Sequence, residues 1–304
     1  MTTGRPGWDL WDLRATDDGY PACLSNLDEP QPTRIYGAGS RDAIIGLDHE
    51  ATVTIVGARR ATAYGLRVAE HLARELAIAG VTVVSGMARG IDAAAHRGAL
   101  AGGGTTIAVL ANGPDLVYPA RHRDLYRRIL ASGAVISEYP PGTRARKEFF
   151  PARNRLMAAL GHLAVIVEAA QPSGSLITAE VAMKLGRTVG AVPGQVGVRV
   201  AEGTNALLAD GAHLIAGARD VLDLLFGVGA RPPDRVGPPL DPELRRVLDL
   251  VEAGASTVDR VAIDGGLTAS AAAIALARLE LLGYVCAGSL GGFARGPLAA
   301  PPPH

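Results

Sequence analysis

Cysteine is nearly absent: Cys23 and Cys286 stand far apart in 304 residues, in no CxxC or Cys/His spacing. That excludes a disulfide framework and a cysteine-ligated zinc site, and it fits a reducing cytosol. Lysine is as scarce. Only Lys147 and Lys184 stand among the thirty basic residues, so arginine carries the positive charge. Thirty acidic residues balance them to a formal net charge of zero, so no charge excess of the whole chain points to a polyanionic partner. No run of about eighteen uninterrupted apolar residues occurs, which leaves no candidate membrane span. The opening MTTGRPGWDLWDLR also lacks the apolar stretch of a signal peptide. A cytoplasmic protein without a membrane partner is expected. The hydrophobic fraction of 48% excludes disorder along the whole chain.

Between Thr52 and Ile215, short apolar runs alternate with helical patterns. TVTIVGA, VTVVSG, TTIAVLA, AVISE, LAVIVEA, TVGAVPG and AHLIA read as strands. Residues 64–79, 91–101, 121–130, 151–160 and 176–185 carry helical spacing. Repeated βα units of this length require a mainly parallel sheet with helices on both faces, because each parallel crossover needs a helix. The expected class is α/β, a Rossmann-like doubly wound sheet.

A Pro/Gly linker, GVGARPPDRVGPP at 227–239, follows that domain (33–226) and its N-terminal extension (1–32). Residues 240–296 then read as three short helices (242–252, 257–261, 269–282) and a hairpin around Ser289 to Gly292, a winged-helix domain. Residues 297–304 are expected to be a disordered tail. Five arginines against seven acids give the winged helix a net charge of minus two. Since phosphate neutralisation dominates DNA affinity, a protein-contact role is expected of it.

Ligands of a doubly wound sheet bind outside the carboxyl ends of its strands. Three turns there are rich in glycine and serine: VGARRATAYG with Gly57 and Arg59, SGMARGIDAAAH with Ser85, Gly86 and Gly90, and VEAAQPSGSLITAE with Ser173 and Gly174. None is GxGxxG, so a dinucleotide fingerprint is absent. Each offers backbone N–H groups at a helix start, a setting that suits phosphate. Close strand-to-helix packing would account for any one such turn; three on one sheet edge make an anion-binding rim.

Positive charge is concentrated locally. From Arg121 to Arg155 nine cations face three anions, and the segment RARKEFFPARNR, 144–155, sets five of the cations beside Phe149 and Phe150. A solvated loop leading into a helix whose phenylalanines enter the core is the plain explanation. Single-stranded nucleic acid is the sharper one, because it needs cations for phosphates and aromatic faces for unstacked bases. Pro151 suits a first helical turn, which places the two rings at its junction, one expected in the core and the other toward the cleft.

Candidate catalytic groups are few. Asp92 and His96 share a helix face, a pair that more often buttresses a helix than reacts. Glu138 and Glu168 end strands and Glu180 sits inside a helix, so paired carboxylates could act as acid and base. No metal-ligand spacing, nucleophile elbow or P-loop accompanies them.

VGARRATAYG, SGMARGIDAAAH, AVLANGPDLVYP, SEYPPG, FFPARNRLMAAL, VEAAQPSGSLITAE, AVPGQ and GTNALLADGA, in this order, resemble the DNA-processing protein A family (DprA, also called Smf). The likeness runs from about Tyr20, in the YPACLSNL element, to about Leu225, and the tail is similar to the family's C-terminal domain. It implies a homodimeric protein of natural transformation that binds single-stranded DNA, protects incoming strands and loads the RecA recombinase, with no cofactor and no established catalysis. By the same resemblance Arg59 is a phosphate ligand, though the motif is GAR where GSR is usual. Lys147 corresponds to a phosphate ligand, Phe150 to the wall of a base pocket, and Ser173 and Gly174 to a backbone-contacting turn. Arg153 and Arg155 serve the pocket or the helix cap. Dimerisation maps to residues 205–215, with Asn205, Leu207, Leu208 and Leu214. Many members carry a helical domain ahead of the YP element, where about nineteen residues stand here.

A competing likeness is to the Rossmann-like nucleoside-monophosphate phosphoribohydrolases (lysine decarboxylase-like), with Glu180 of SGSLITAE as the candidate group. Their PGGxGTxxE signature is missing, since PG and GTN are split here. A nucleotide-sensing module signalling through the winged helix is a third reading.

Overall fold

The computed structural model describes residues 8–27, 31–229, 235–237, 239–287, 292–296 and 298–299. The chain divides at residues 231/232 into two compact units.

The first unit is built on one nine-stranded sheet. Its strands are β1 (Leu10–Arg14), β2 (Arg34–Gly39), β3 (Thr52–Val56), β4 (Thr82–Ser85), β5 (Thr106–Val109), β6 (Ala134–Ser137), β7 (Leu163–Ile166), β8 (Thr188–Ala191) and β9 (His213–Leu214), in the order β1-β2-β6-β5-β4-β3-β7-β8-β9. All pairings from β6 to β9 are parallel. The β1–β2 and β2–β6 pairings are antiparallel. Strand order reverses between β3 and β7, which makes that crevice the topological switch point where such sheets hold ligands.

The seven parallel strands match the apolar runs of the sequence; for β3 to β8 the reason is that strands covered on both faces must be apolar throughout, whereas β9 is an exposed edge strand. Burial bears this out: β3, β4, β5, β6 and β7 are buried at every residue. The antiparallel edge lies outside that pattern. LWDLR in β1 alternates, with Leu13 fully buried and Leu10, Asp12 and Arg14 exposed, as an edge strand does. The Trp11 indole donates to the Gly39 carbonyl and covers Gly37, where an added Cβ would lie 2.3 Å from the ring.

Helices α2 (Ala63–Ile78), α3 (Ile91–Ala101), α4 (Arg123–Ser132) and α8 (Ala218–Phe226) supply apolar side chains to clusters on one face. On the other, α5 (Phe149–Leu160) and α6 (Gly174–Lys184) pack Leu156, Met157, Ala179 and Ala182 against Val56, Ala164 and Ile166. Short α1 (Asp42–Ile45) and α7 (Glu202–Ala209) complete the unit.

In the second unit α9 (Pro242–Glu252), α10 (Val258–Gly265) and α11 (Ala269–Leu281) pack around Leu248, Val261, Leu276 and Tyr284. Asp241, Thr257 and Thr268 cap the three helices by accepting backbone N–H groups, and Pro242 opens α9 where its missing N–H costs nothing. Strands β11 (Val285–Ala287) and β12 (Phe293–Arg295) pair antiparallel, as the arms of a wing do. The tip of that hairpin, Ser289 included, lies outside the described residues. Two expectations need correction. Linker residues Arg235–Val236 form β10, which pairs in parallel with β13 (Leu298–Ala299), so the tail expected to be disordered holds a strand there. Residues 300–304 lie outside the described residues.

Among the described residues, no single helix is long and apolar enough to cross a membrane, and no cluster of three or more His, Cys, Asp or Glu could hold a metal ion.

Candidate single-strand-binding cleft

The switch point opens into a cleft of about 410 Å3. The turn after β3 lines it with Gly57, Ala58, Arg59 and Arg60, the turn before α6 with Ser173, Gly174 and Ser175, and α5 with Phe150, Arg153 and Asn154. A smaller lobe of about 100 Å3 shares Arg59, Phe150 and Arg153 and adds Gly86, Arg89, Asn112 and Tyr118. The two lobes therefore meet at one aromatic ring flanked by cations. The Arg59 guanidinium carbon sits 4.7 Å from the Phe150 ring centre, that of Arg153 6.0 Å, and the Tyr118 ring 5.9 Å.

Arg153 is only 4% exposed. Its guanidinium donates to the carbonyls of Gly86 (2.7 Å) and Val109 (2.5 Å), and Nε donates to Asn154 Oδ1 (3.2 Å). Burial pushes its pKa down to about 10, with the Asp92 carboxylate opposing. Burial likewise pushes the Asp92 carboxyl up, while Arg153 and the Ala88 N–H draw it back. Asn154 in turn donates to the Gly174 carbonyl (2.9 Å), fixing α5 against the start of α6. Ser173 caps α6 by accepting the Ser175 N–H, and a Cβ added at Gly174 would meet nothing within 4 Å, so this turn is open to close approach by a ligand backbone.

Of the residues singled out in the sequence, Gly57, Arg59, Phe150, Arg153, Ser173 and Gly174 line the large lobe, and Gly86 the small one. Four do not. Ser85 is buried and its hydroxyl donates to the Ile55 carbonyl. Gly90, at φ 79°, lets two turns touch: a Cβ there would lie 2.1 Å from the Ala58 oxygen. Arg155 pairs with Glu138 at 2.5 Å, away from the cleft. Lys147 stands exposed on the turn entering α5. Phe149 also departs from expectation, being half-buried and stacked on Tyr139 rather than set in the core.

The carboxylates considered for acid and base work are committed elsewhere. Glu168, 4% exposed, accepts the Thr62 N–H (2.9 Å) and hydroxyl (2.5 Å), bracing the turn that carries Arg59. Glu138 holds Arg155. Glu180 is exposed and lines neither lobe. His96 does not meet Asp92: its Nδ1 lies 2.7 Å from Thr106 Oγ1, and burial pushes it down to about 3.

Sequence reasoning missed Tyr118, Asn112 and Arg89. The first two follow β5 in AVLANGPDLVYP, so the strand-end rule applied to that loop would have reached them. Nothing in the pattern separated Asn154 from its neighbours.

Of the proposed dimer residues only Leu214, on the edge strand β9, is well exposed, at 56%. Leu207 packs on the core, Leu208 is half-buried, and Asn205 exchanges two hydrogen bonds with Gly194.

The family model described as DNA recombination-mediator protein A matches residues 13–226, and that of the DprA winged helix domain matches residues 231–289. A DNA processing protein DprA of Mycobacterium tuberculosis is 45% identical over 235 residues, 75% of this chain but 60% of its own, so the chain spans about three fifths of that relative. Protein Smf of Escherichia coli is 37% identical over 288 residues, 90% of this chain and 75% of its own. The X-ray structure of DNA processing protein A from Streptococcus pneumoniae superposes with a TM-score of 0.66 at 37% identity, covering 70% of this chain and 74% of that one. DNA processing protein A of Helicobacter pylori, whose structure is described by its single-stranded DNA binding mode, gives 0.63 at 30% identity, covering 72% and 96%.

Proposed function

Because the chain belongs to the DNA recombination-mediator protein A family, we propose that its switch-point cleft binds single-stranded DNA. In this reading it protects strands taken up in natural transformation and passes them to the RecA recombinase in the cytoplasm. The carrying observation is the guanidinium of Arg59 set 4.7 Å from the Phe150 ring centre in an open cleft. A ring serves an unstacked base and a mobile cation serves its phosphate, whatever the sequence.

The surrounding charges support this. Among the described residues, Arg59, Arg144, Arg146 and Lys147 have no carboxylate within ion-pair distance, unlike Arg155. A binding role is favoured over acid–base catalysis because Glu138 and Glu168 serve the framework and Glu180 lies off the cleft. Titrating labelled poly-dT and the matching duplex at several salt concentrations tests it. Salt-sensitive binding of the single strand alone is expected, and equal binding of the duplex would sink the reading. Recombinase loading is checked by RecA filament growth on a strand already coated by single-strand-binding protein; no acceleration would confine the role to binding.

A homodimer across the β9 edge is part of the same proposal, because an unpaired sheet edge carrying an exposed leucine invites another chain. Leu214→Arg is expected to give a folded monomer by light scattering. A dimer that survives the charge would move the interface elsewhere.

A further inference from the structure

The segment before α5 holds a second aromatic and cationic set that the cleft does not use. Phe149 and Tyr139 stack with ring centres 4.0 Å apart and planes inclined by 21°, and the Arg146 guanidinium carbon lies 5.7 Å from the Phe149 ring centre. Neither ring lines either lobe of the cleft. Both are half-buried, so part of the pair meets solvent, and Arg146 and Lys147 beside them are exposed.

We propose that Tyr139, Phe149 and Arg146 form a second stacking platform, which takes another base of the same single strand held at Phe150. The inference rests on the reading of the cleft as a single-strand site. Phe149 and Phe150 are consecutive at the start of α5, and successive helical side chains diverge by about 100°. One ring therefore serves the cleft and the other the surface beside it, with Lys147 three residues ahead of Phe150 on the connecting turn. The platform is held before any ligand arrives. Tyr139 follows the end of β6, where its N–H donates to Ser137 Oγ at 3.0 Å, and the neighbouring Glu138 is fixed by Arg155. A base meeting a preformed ring pair loses little to ordering, and stacking on it is tolerant of sequence. A purely structural role, stapling residues 140–148 to the end of β6, would instead make the two rings matter for stability alone.

The test compares labelled oligo-dT of about 4 and about 16 nucleotides, the range over which single-strand sites extend, on the full chain. Phe149→Leu is expected to bind the short oligomer as wild type does and the long one about five- to a hundredfold more weakly, the worth of one base stack. Phe150→Leu should weaken both. Phe149→Trp keeps a platform, so it should retain affinity for the long oligomer and show fluorescence quenching by it beyond that of wild type, a readout that holds even if Phe149→Leu folds poorly. Wild-type affinity of Phe149→Leu for both lengths, equal weakening for both, or no added quenching in Phe149→Trp would each overturn the platform while leaving the cleft standing. Failure of wild type to bind either oligomer would remove cleft and platform together.

Discussion

Phe150→Ala is expected to fold normally and to lose roughly 1 to 3 kcal/mol of the proposed single-strand affinity, the usual worth of a base on an aromatic ring. Two features of the cleft set where in that range the loss falls. Arg59 already lies over the ring, a contact worth about 0.5–1 kcal/mol at an exposed site. A base that stacks there displaces it toward the phosphate, so part of the stacking gain replaces an existing contact and the loss falls toward the lower end. Phe150 is also only half-buried, so its removal opens no core cavity and the melting temperature should hardly move. The salt response separates the ring from its cations. Stacking releases no counterions, so Phe150→Ala should keep the wild-type slope. Lys147→Ala and Arg59→Ala should each flatten it by about 0.7 in log affinity on log salt, the increment for one phosphate of a single strand. Equilibrium titrations of poly-dT at several salt concentrations check all three. A flattened slope in Phe150→Ala, or unchanged slopes in both cation variants, would reverse the assignment of ring and charge.

How far the sequence could be read follows from which forces leave a local signature. Parallel strands covered on both sides must be apolar throughout, so β3 to β8 were legible as runs, and with them the Rossmann-like class. LWDLR and RIYGAG were not. Their strands pair antiparallel at an edge, where the selecting force is contact with β6 and the Trp11 ring over Gly37 rather than composition. The site divides in the same way. Gly57, Ser173 and Gly174 lie in turns at the switch point, and strand order alone sends those turns to a ligand. Ser85 and Gly90 belong to the next turn along and were drawn in by the same Gly/Ser composition, yet they serve packing. Arg153 and Arg155 look alike in sequence, but two residues of helix turn them about 200° apart, one toward the strand ends and the other toward Glu138. The helix begins at Phe149 rather than Pro151, which keeps Phe149 on the surface beside Tyr139.

Arg153→Met should be the more damaging change, because Arg153 is framework and site at once. The guanidinium satisfies the Gly86 and Val109 carbonyls at the ends of two strands and is the nearby opposite charge for buried Asp92. Removing it leaves both carbonyls without that donor, at about 1–3 kcal/mol for each buried polar group left unsatisfied, and takes away a favourable charge acting on Asp92, whose Ala88 N–H partner remains. Denaturant titration with linear extrapolation measures it. The pH dependence identifies the cause. Burial raises the Asp92 pKa above its unfolded value of 3.8, so folding favours its protonated form. A group raised in this way contributes stability below its unfolded pKa, and the contribution is lost as pH rises through the folded one. Without Arg153 the folded pKa rises further and the window widens toward neutrality. The variant's deficit should therefore be largest at neutral pH and shrink as the solution is acidified. Adding Asp92→Asn should recover the pH-dependent part and leave the cost of the two carbonyls. A deficit that is the same at pH 7 and at pH 5 and is untouched by Asp92→Asn would mean that the carbonyl hydrogen bonds, and not the Asp92 charge, are what Arg153 is buried to serve.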